Sequence, residues 1–271
     1  MTVSTDRTAT RLAGAELELL GRFADASNAT LLVRLLDRDP RPLEELAVEL
    51  GREPELEDLP TGDLAVYKPV RGEAPLWDFP HRTLHRREVA AYELSVALGW
   101  DLVPVTVLRE DAPLGPGSLQ RFVPHDLDLH YFALLESGEA AIVEQLRAMV
   151  VFDLLINNAD RKGGHVLLEE DPQRPGLAAG RIRLIDHGIA FHAQPKLRTV
   201  GWHFADEPVS PPLRADVQRV GAQLDERLGE TLGRLLAPEE LEALRARVAA
   251  TAGLGIFPRP AGPRATPWPL L

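Results

Sequence analysis

Two stretches decide the fold of this chain: Asn157-Asn158-Ala159-Asp160-Arg161-Lys162-Gly163-Gly164-His165 and Leu184-Ile185-Asp186-His187-Gly188. Immediately upstream, Gly138–Asn157 has the pattern of a helix, with apolar residues at Ile142, Leu146, Met149, Val150 and Leu154–Ile156. Between the two stretches, His165–Leu168 and Arg181–Ile185 read as short strands around the polar loop Glu169–Gly180. Such a hairpin returns the chain to its starting end. Asp160 and Asp186, 26 residues apart, therefore meet at one open end. Two carboxylates with a neutral ligand, His165, make a hard, oxygen-rich site suited to Mg2+ or Mn2+.

The preceding half is richer in strands. Thr30–Leu36 and Leu64–Pro69 read as strands, and Val103–Arg109 with Ser118–Val123 as a hairpin through Asp111–Gly117. Leu84–Leu98 reads as a helix closed by Gly99 at the C′ position, and Ala15–Leu20 as a short helix. Lys68 lies on the strand ended by Pro69 and supplies a point charge for phosphate. Metal-holding acids, a phosphate-binding Lys and an Asp for the nucleophile's proton are the parts needed for phosphoryl transfer. Downstream, Pro212–Leu236 and Pro238–Ala250 read as amphipathic helices, and Phe257–Leu271 as an extended tail with five prolines. The expected division is 1–123, strand-rich with one helix; 124–256, mainly helical and carrying the site; and 257–271, the tail. This is an α+β, two-lobed design.

Composition excludes several classes. The 271 residues include no Cys, which removes disulfides, Cys-ligated zinc, iron–sulfur clusters and thiol catalysis. A formal charge of −11 disfavours nucleic acid as a partner and acidic bilayers as a docking surface. The longest apolar stretches, Met149–Ile156 and Val248–Phe257, are far shorter than a bilayer span, and Met1–Arg11 lacks a signal-peptide core. A cytoplasmic protein without membrane insertion is expected. Trp77, Trp100, Trp202 and Trp268 are expected as packing anchors, with Trp202 alternatively a wall of the acceptor site. His81, Arg82, His85, Arg86 and Arg87 are expected as a basic surface patch.

Over roughly Ser27 to Ala193 the chain resembles the phosphoinositide 3-/4-kinase-like branch of the protein-kinase-like fold, in the form found in small actinobacterial proteins; the HipA toxin kinases are a more distant likeness. The resemblance rests on Tyr67-Lys68-Pro69, Asn158-Ala159-Asp160-Arg161 and Ile185-Asp186-His187-Gly188. It implies a two-lobed kinase-like fold, ATP as cosubstrate and a divalent metal. It also implies that Glu88 pairs with Lys68 and that Asp160 is catalytic, with Arg161 steadying the loop or the transferring group. Asp186 becomes a metal ligand, and His165 stands where the family has a metal-binding Asn. The segment Gln120-Arg121-Phe122-Val123 falls where backbone groups would grip adenine. The phosphate loop before Thr30 lacks Gly, leaving Ser27 and Asn28 as its polar groups.

The expected function is transfer of the γ-phosphate of ATP to a hydroxyl, most simply on a soluble small molecule, with protein and lipid acceptors as further possibilities. Two alternatives stay open on sequence alone. One is a metal-dependent phosphohydrolase using Asp160, His165, Asp186 and His187. The other is a nucleotide-binding protein without catalysis.

Overall fold

A computed structural model describes residues 3–23, 28–36, 43–52, 55 and 58–271. The chain forms two compact units, Met1–His85 with Val105–Pro124, and Arg86–Pro104 with His125–Leu271. This division is not a single cut near residue 124. The stretch 86–104 is counted with the second unit, and so is the proline-rich tail.

The first unit is built on a five-stranded antiparallel sheet. Its strands are β1 (Glu16–Arg22), β2 (Leu31–Leu36), β3 (Leu64–Pro69), β4 (Thr106–Arg109) and β5 (Gly117–Arg121), in the order β1-β2-β3-β5-β4. Strand β3 occupies the centre. Its alternation buries Ala65, Tyr67 and Pro69 on one face and leaves Val66 and Lys68 half-buried on the other, Lys68 opposite Ser118 of β5. Helix α1 (Val3–Gly14) precedes the sheet, and α2 (Leu43–Leu50) lies between β2 and β3. The helix expected over Ala15–Leu20 is instead strand β1. Glu16-Leu17-Glu18-Leu19 alternates with period two, and pairing with β2 satisfies its backbone. Arg109 closes α1 by donating to the carbonyls of Leu12 and Ala15, both at 2.9 Å.

The second unit contains helix α3 (Leu84–Leu98, apart from its first two residues), α4 (Tyr131–Glu136), α5 (Ala140–Ile156), α6 (Pro211–Gln223), α7 (Arg227–Gly233) and α8 (Pro238–Ala252). It also contains the hairpin of β6 (Val166–Glu169) and β7 (Arg181–Leu184). Helix α5 is its core. Ile142, Leu146, Met149, Val150, Val151, Phe152, Leu155 and Ile156 are all buried, so the helix is apolar on nearly every side. Asn157 ends it in the left-handed conformation, φ 52° and ψ 51°. The Asn157 side chain fixes that turn, donating to the carbonyls of His192 and Gln194 and accepting from the Lys196 N–H. The single helix expected over Pro212–Leu236 breaks into α6 and α7. Gly229 comes so close to the Leu224 carbonyl that a Cβ there would lie 2.0 Å from its oxygen.

Three sequence expectations change. Trp77 and Trp268 are 94% and 87% exposed rather than core residues, whereas the Trp100 indole N–H donates to Asp216 at 2.9 Å. The basic patch forms only in part: His81, Arg82 and Arg86 are exposed, whereas His85 and Arg87 are buried. Arg87 instead makes a buried ion pair with Glu240 at 2.5 Å and donates to the Ala190 carbonyl at 2.8 Å. Strand β4 is shorter than expected, because Leu102 and Val103 donate to the Ser95 hydroxyl and Leu102 accepts from the Leu184 N–H.

Glu240 also caps α8, its Oε2 accepting the Ala237 N–H at 3.0 Å. Removing one partner of a buried pair strands the other charge, so Glu240→Ala is expected to destabilise the protein by about 3 kcal/mol or more. Urea denaturation followed by tryptophan fluorescence measures this; a loss within error of zero would show that the pair contributes nothing.

Candidate active site

The loop that follows α5 is shaped by its own backbone before any side chain acts. The Ala159 N–H donates to the Ile189 carbonyl at 3.2 Å, and Arg198 both accepts from Arg161 N–H (2.9 Å) and donates to the Asn158 carbonyl (2.8 Å). The Asn158 Oδ1 receives the Asp160 N–H at 3.0 Å. These bonds present the Asp160 side chain partly exposed at the turn, with Lys162 Nζ 3.4 Å from its Oδ2. Burial raises the Asp160 pKa above the usual carboxylate value, and the charge of Asp186 pushes the same way; Lys162 and Arg198 oppose the rise.

His165 ties the two acids together. Its Nδ1 lies 3.0 Å from the Asp160 carbonyl oxygen, which can only accept, so Nδ1 carries the proton. The Lys162 N–H also lies 3.5 Å from Nδ1, but that longer contact does not decide the tautomer. Nε2 faces Asp186 Oδ2 at 3.5 Å, and in the neutral ring it is the nitrogen that holds the lone pair. Asp186 itself adopts a left-handed backbone, φ 59°. This conformation is available to Asp at modest cost.

The donor set fits a small hard cation. Cis ligands about 2.1 Å from such an ion stand about 3 Å apart, close to the His165–Asp186 separation. Among the described residues no cluster of three or more His, Cys, Asp or Glu forms a complete metal cage. Two protein donors with the rest supplied by phosphate and water is the usual way of holding Mg2+.

Behind this surface lies a buried polar network. Arg161 has no exposed side-chain area. Its Nε lies 3.1 and 3.3 Å from the two oxygens of Asp153, Nη1 donates to the Ile185 carbonyl at 2.9 Å, and Nη2 meets His187 Nε2 at 2.9 Å. Asp153 also accepts from Thr199 Oγ1 at 2.9 Å and Asn158 Nδ2 at 3.2 Å. Arg161 therefore steadies the loop from within and does not face a transferring group. Asp153 was missed by the sequence reading. Its signal was a lone carboxylate inside the apolar run Met149–Ile156, where a charge must be paired to be buried.

His187 is also fully buried. Burial lowers its pKa, the hydrogen-bonding influence of Glu88 opposes that, and the charge of Arg161 adds to the lowering. The ring is neutral and engaged with Arg161. The four-ligand phosphohydrolase site of Asp160, His165, Asp186 and His187 is therefore not assembled. Glu88 accepts the His187 main-chain N–H at 3.0 Å, so this helix residue contacts the segment that carries Asp186.

In the first unit, Lys68 lies on the central strand. Ser27 lies outside the described residues. The Asn28 Oδ1 accepts the Ala74 N–H at 2.7 Å, and Ala29 N–H donates to the Gly72 carbonyl at 3.1 Å, so Asn28 binds its own neighbouring loop. Gln120 donates to Thr106 Oγ1 at 2.8 Å, and the Phe122 N–H is spent on the Leu64 carbonyl at 3.1 Å. Val123 is buried. The Phe122 amide is thus committed to the sheet and is not presented to a nucleotide.

The tail docks beside the catalytic loop. Gly163 N–H donates to the Leu270 carbonyl at 2.7 Å, and the Ala265 carbonyl receives both Thr199 N–H (3.0 Å) and Trp202 Nε1–H (2.8 Å). Trp202 serves here as an anchor for the tail.

No protein-family model matches the chain. Several solved structures share its architecture. The Golgi casein kinase with Mn/ADP bound gives a TM-score of 0.53 at 13% identity, over 92% of this chain and 74% of that one. The Helicobacter pylori proinflammatory kinase CtkA gives 0.50 at 12% identity, over 91% and 94%. Hydra Fam20 with sugar gives 0.52 at 14% identity, over 92% and 87%. The fold is accordingly α+β and of the atypical protein-kinase type. In sequence, the chain is 38% identical over 300 aligned positions to protein Rv2133c of Mycobacterium tuberculosis (strain ATCC 25618 / H37Rv), covering 99% of this chain and 97% of that protein. The chain belongs to the family of Rv2133c.

Proposed function

We propose that the protein is an ATP-dependent atypical kinase that moves the γ-phosphate to a hydroxyl acceptor. The observation that carries this reading is the juxtaposition of Asp160, His165 and Asp186 at the mouth of one hairpin, within a fold shared with kinases. Asp186 and His165 would hold the divalent ion, Mg2+ or Mn2+. When bound, that ion neutralises charge on the nucleotide's phosphate oxygens. Lys68 supplies a further cation for the phosphates, and Glu88 orients the phosphate-binding elements from α3. Asp160 accepts the hydrogen bond of the acceptor hydroxyl and takes its proton as the oxygen bonds to the γ-phosphorus and the bond to the ADP oxygen breaks. Its partial burial beside two cations suits a carboxylate that must hold a hydroxyl in line rather than remain fully hydrated.

The phosphoinositide 3-/4-kinase-like assignment is part of this proposal, supported by Asn158-Ala159-Asp160-Arg161 and Ile185-Asp186-His187-Gly188. A soluble acceptor, such as a polyol, is favoured over a membrane lipid. The charge of −11 repels anionic headgroups, and no helix among the described residues is long and apolar enough to cross a membrane. Lack of Cys and net acidity support a cytoplasmic setting without nucleic-acid partners.

Thermal-shift titration with ADP or ATP plus Mg2+ or Mn2+ tests the nucleotide site directly. A ligand at a hundred times its Kd stabilises by about 2.7 kcal/mol, which is readily seen as a raised Tm. Asp186→Ala is expected to abolish the metal-dependent part of that shift. Lys68→Met is expected to weaken nucleotide binding with little change in the melting of the ligand-free protein. Absence of any nucleotide-dependent shift in the unmodified protein would refute the reading.

Asp160→Asn separates catalysis from binding. It is expected to keep the nucleotide shift while lowering kcat by about 10²- to 10⁴-fold, the usual contribution of a positioned base. Turnover is followed as phosphate transfer to a panel of hydroxyl metabolites. Undiminished transfer in this variant would remove Asp160 from the reaction.

A further inference from the structure

We propose that His187 is a positioning residue that locks the segment carrying Asp186 to both the catalytic loop and helix α3; this rests on the kinase reading above. The inference starts from what the ring touches. His187 Nε2 lies 2.9 Å from Arg161 Nη2. A guanidinium has only donors, so Nε2 accepts and the ring proton is on Nδ1. Nδ1 faces Glu88 Oε2 at 3.7 Å, and the same oxygen accepts the His187 main-chain N–H at 3.0 Å. The ring stands edge-on to Phe152, centroids 5.9 Å apart at 89°. The imidazole therefore has a fixed orientation and tautomer: Nε2 is hydrogen-bonded to Arg161, Nδ1 makes no hydrogen bond, and the tie to α3 runs through the His187 main-chain N–H.

Both neighbours of Asp186 are held by this network. Arg161 Nη1 takes the Ile185 carbonyl at 2.9 Å, and the Ile185 N–H donates to the His165 carbonyl at 3.1 Å. On the other side, His187 is held by Glu88 and Arg161. One guanidinium thus connects the residue after Asp160 to the residues flanking Asp186. The left-handed backbone of Asp186 is maintained by anchors on either side of it. The groups facing the ring are Glu88, Arg161 and the Asp153 carboxylate behind Arg161, so a neutral ring adds no charge to a pocket whose cation is already matched by Asp153. Displacement of α3 breaks the Glu88 bond to His187 and shifts Asp186. The helix that supplies a phosphate-site acid and the loop that holds the metal move as one.

Replacing His187 by Gln, Asn and Phe dissects the two contacts. Gln keeps an acceptor near the Nε2 position, toward Arg161. Asn keeps an amide donor near the Nδ1 position but offers Arg161 nothing. Phe keeps the shape and neither contact. Mn2+ is titrated at fixed ADP by thermal shift, alongside kcat and the melting temperature of each ligand-free variant. Asn and Phe are expected to raise the half-saturating Mn2+ concentration about tenfold or more and to lower kcat similarly, while Gln stays near the unmodified protein.

If all three variants change only the ligand-free melting temperature, the ring is merely packing and the proposal is wrong. Equal Mn2+ half-saturation for Gln and Asn also overturns it. Should Phe fail to fold, the Gln–Asn comparison decides alone. An unmodified protein that shows no Mn2+-dependent ADP shift overturns the kinase reading and this proposal together, whereas a normal shift with indifferent variants overturns only this proposal.

Discussion

The buried ion pair between Asp153 and Arg161 is the constraint on which the site depends. Neither side chain has exposed area, so both charges have lost their water and must recover it from protein groups. The recovery is nearly complete. Asp153 receives Arg161, Thr199 and Asn158, and Arg161 reaches Asp153, the Ile185 carbonyl and His187. An apolar pair of the same volume would cost less to bury. It would not, however, dictate where four separate backbone segments meet. Directional bonds from one rigid guanidinium set the relative placement of α5, the loop after it, β7 and the chain beyond Asp186.

This placement holds the segments that carry Asp160 and Asp186. Asp160 is held by its own backbone bonds and by Lys162, and Asp186 by the anchoring of Ile185 and His187. Burial first, and the charge of Asp186 after it, raise the Asp160 pKa, a local cost carried by the surrounding framework. A site organised in this way is prepared for positive charge. It needs little rearrangement to receive it, which is the property that favours phosphoryl transfer by charge stabilisation.

Much of this was legible in the sequence where local chemistry and tertiary demand agree. The bounds of β3 and α3 were read as they stand, because alternation in Leu64–Pro69 and the Gly99 stop, φ 75°, state the structure locally. The hairpin joining Asp160 and Asp186 was also legible, since two apolar strands flank a polar loop. β1 was misread because Leu17, Leu19 and Leu20 in a good helix-forming context outweighed the Glu-Leu alternation; only the edge of β2 selects the strand. The α6–α7 break has no proline. It depends on the Gly229 contact and on Arg245 donating to the Leu224 carbonyl at 2.7 Å, neither visible in a local window. The inner network escaped for the same reason. Asp153, Arg161 and His187 look like an isolated acid, a loop cation and a polar loop residue until the fold brings them together.

The surroundings of Asp160 also explain why the chemistry can be read and the acceptor cannot. The sequence motifs of the site end with Gly188, yet the groups packed on the Asp160 loop come largely from beyond it. Arg198 brackets the loop through two backbone bonds, and Leu270 accepts from Gly163. A Cβ on Gly163 would lie 2.8 Å from Leu271 and 3.0 Å from Phe132, so glycine there is what lets the tail and α4 close on the loop from two sides. His203 packs against Tyr131 and Phe132 on the same side of α4. The walls beside the Asp160 turn are therefore built by the tail, α4 and the segment around Arg198, each remote in sequence from the motifs that carry the two carboxylates. Chemistry that depends on charge and metal is encoded in short motifs. Selection of the acceptor is encoded in tertiary contacts between distant, individually unremarkable segments, and it is these that a single sequence conceals.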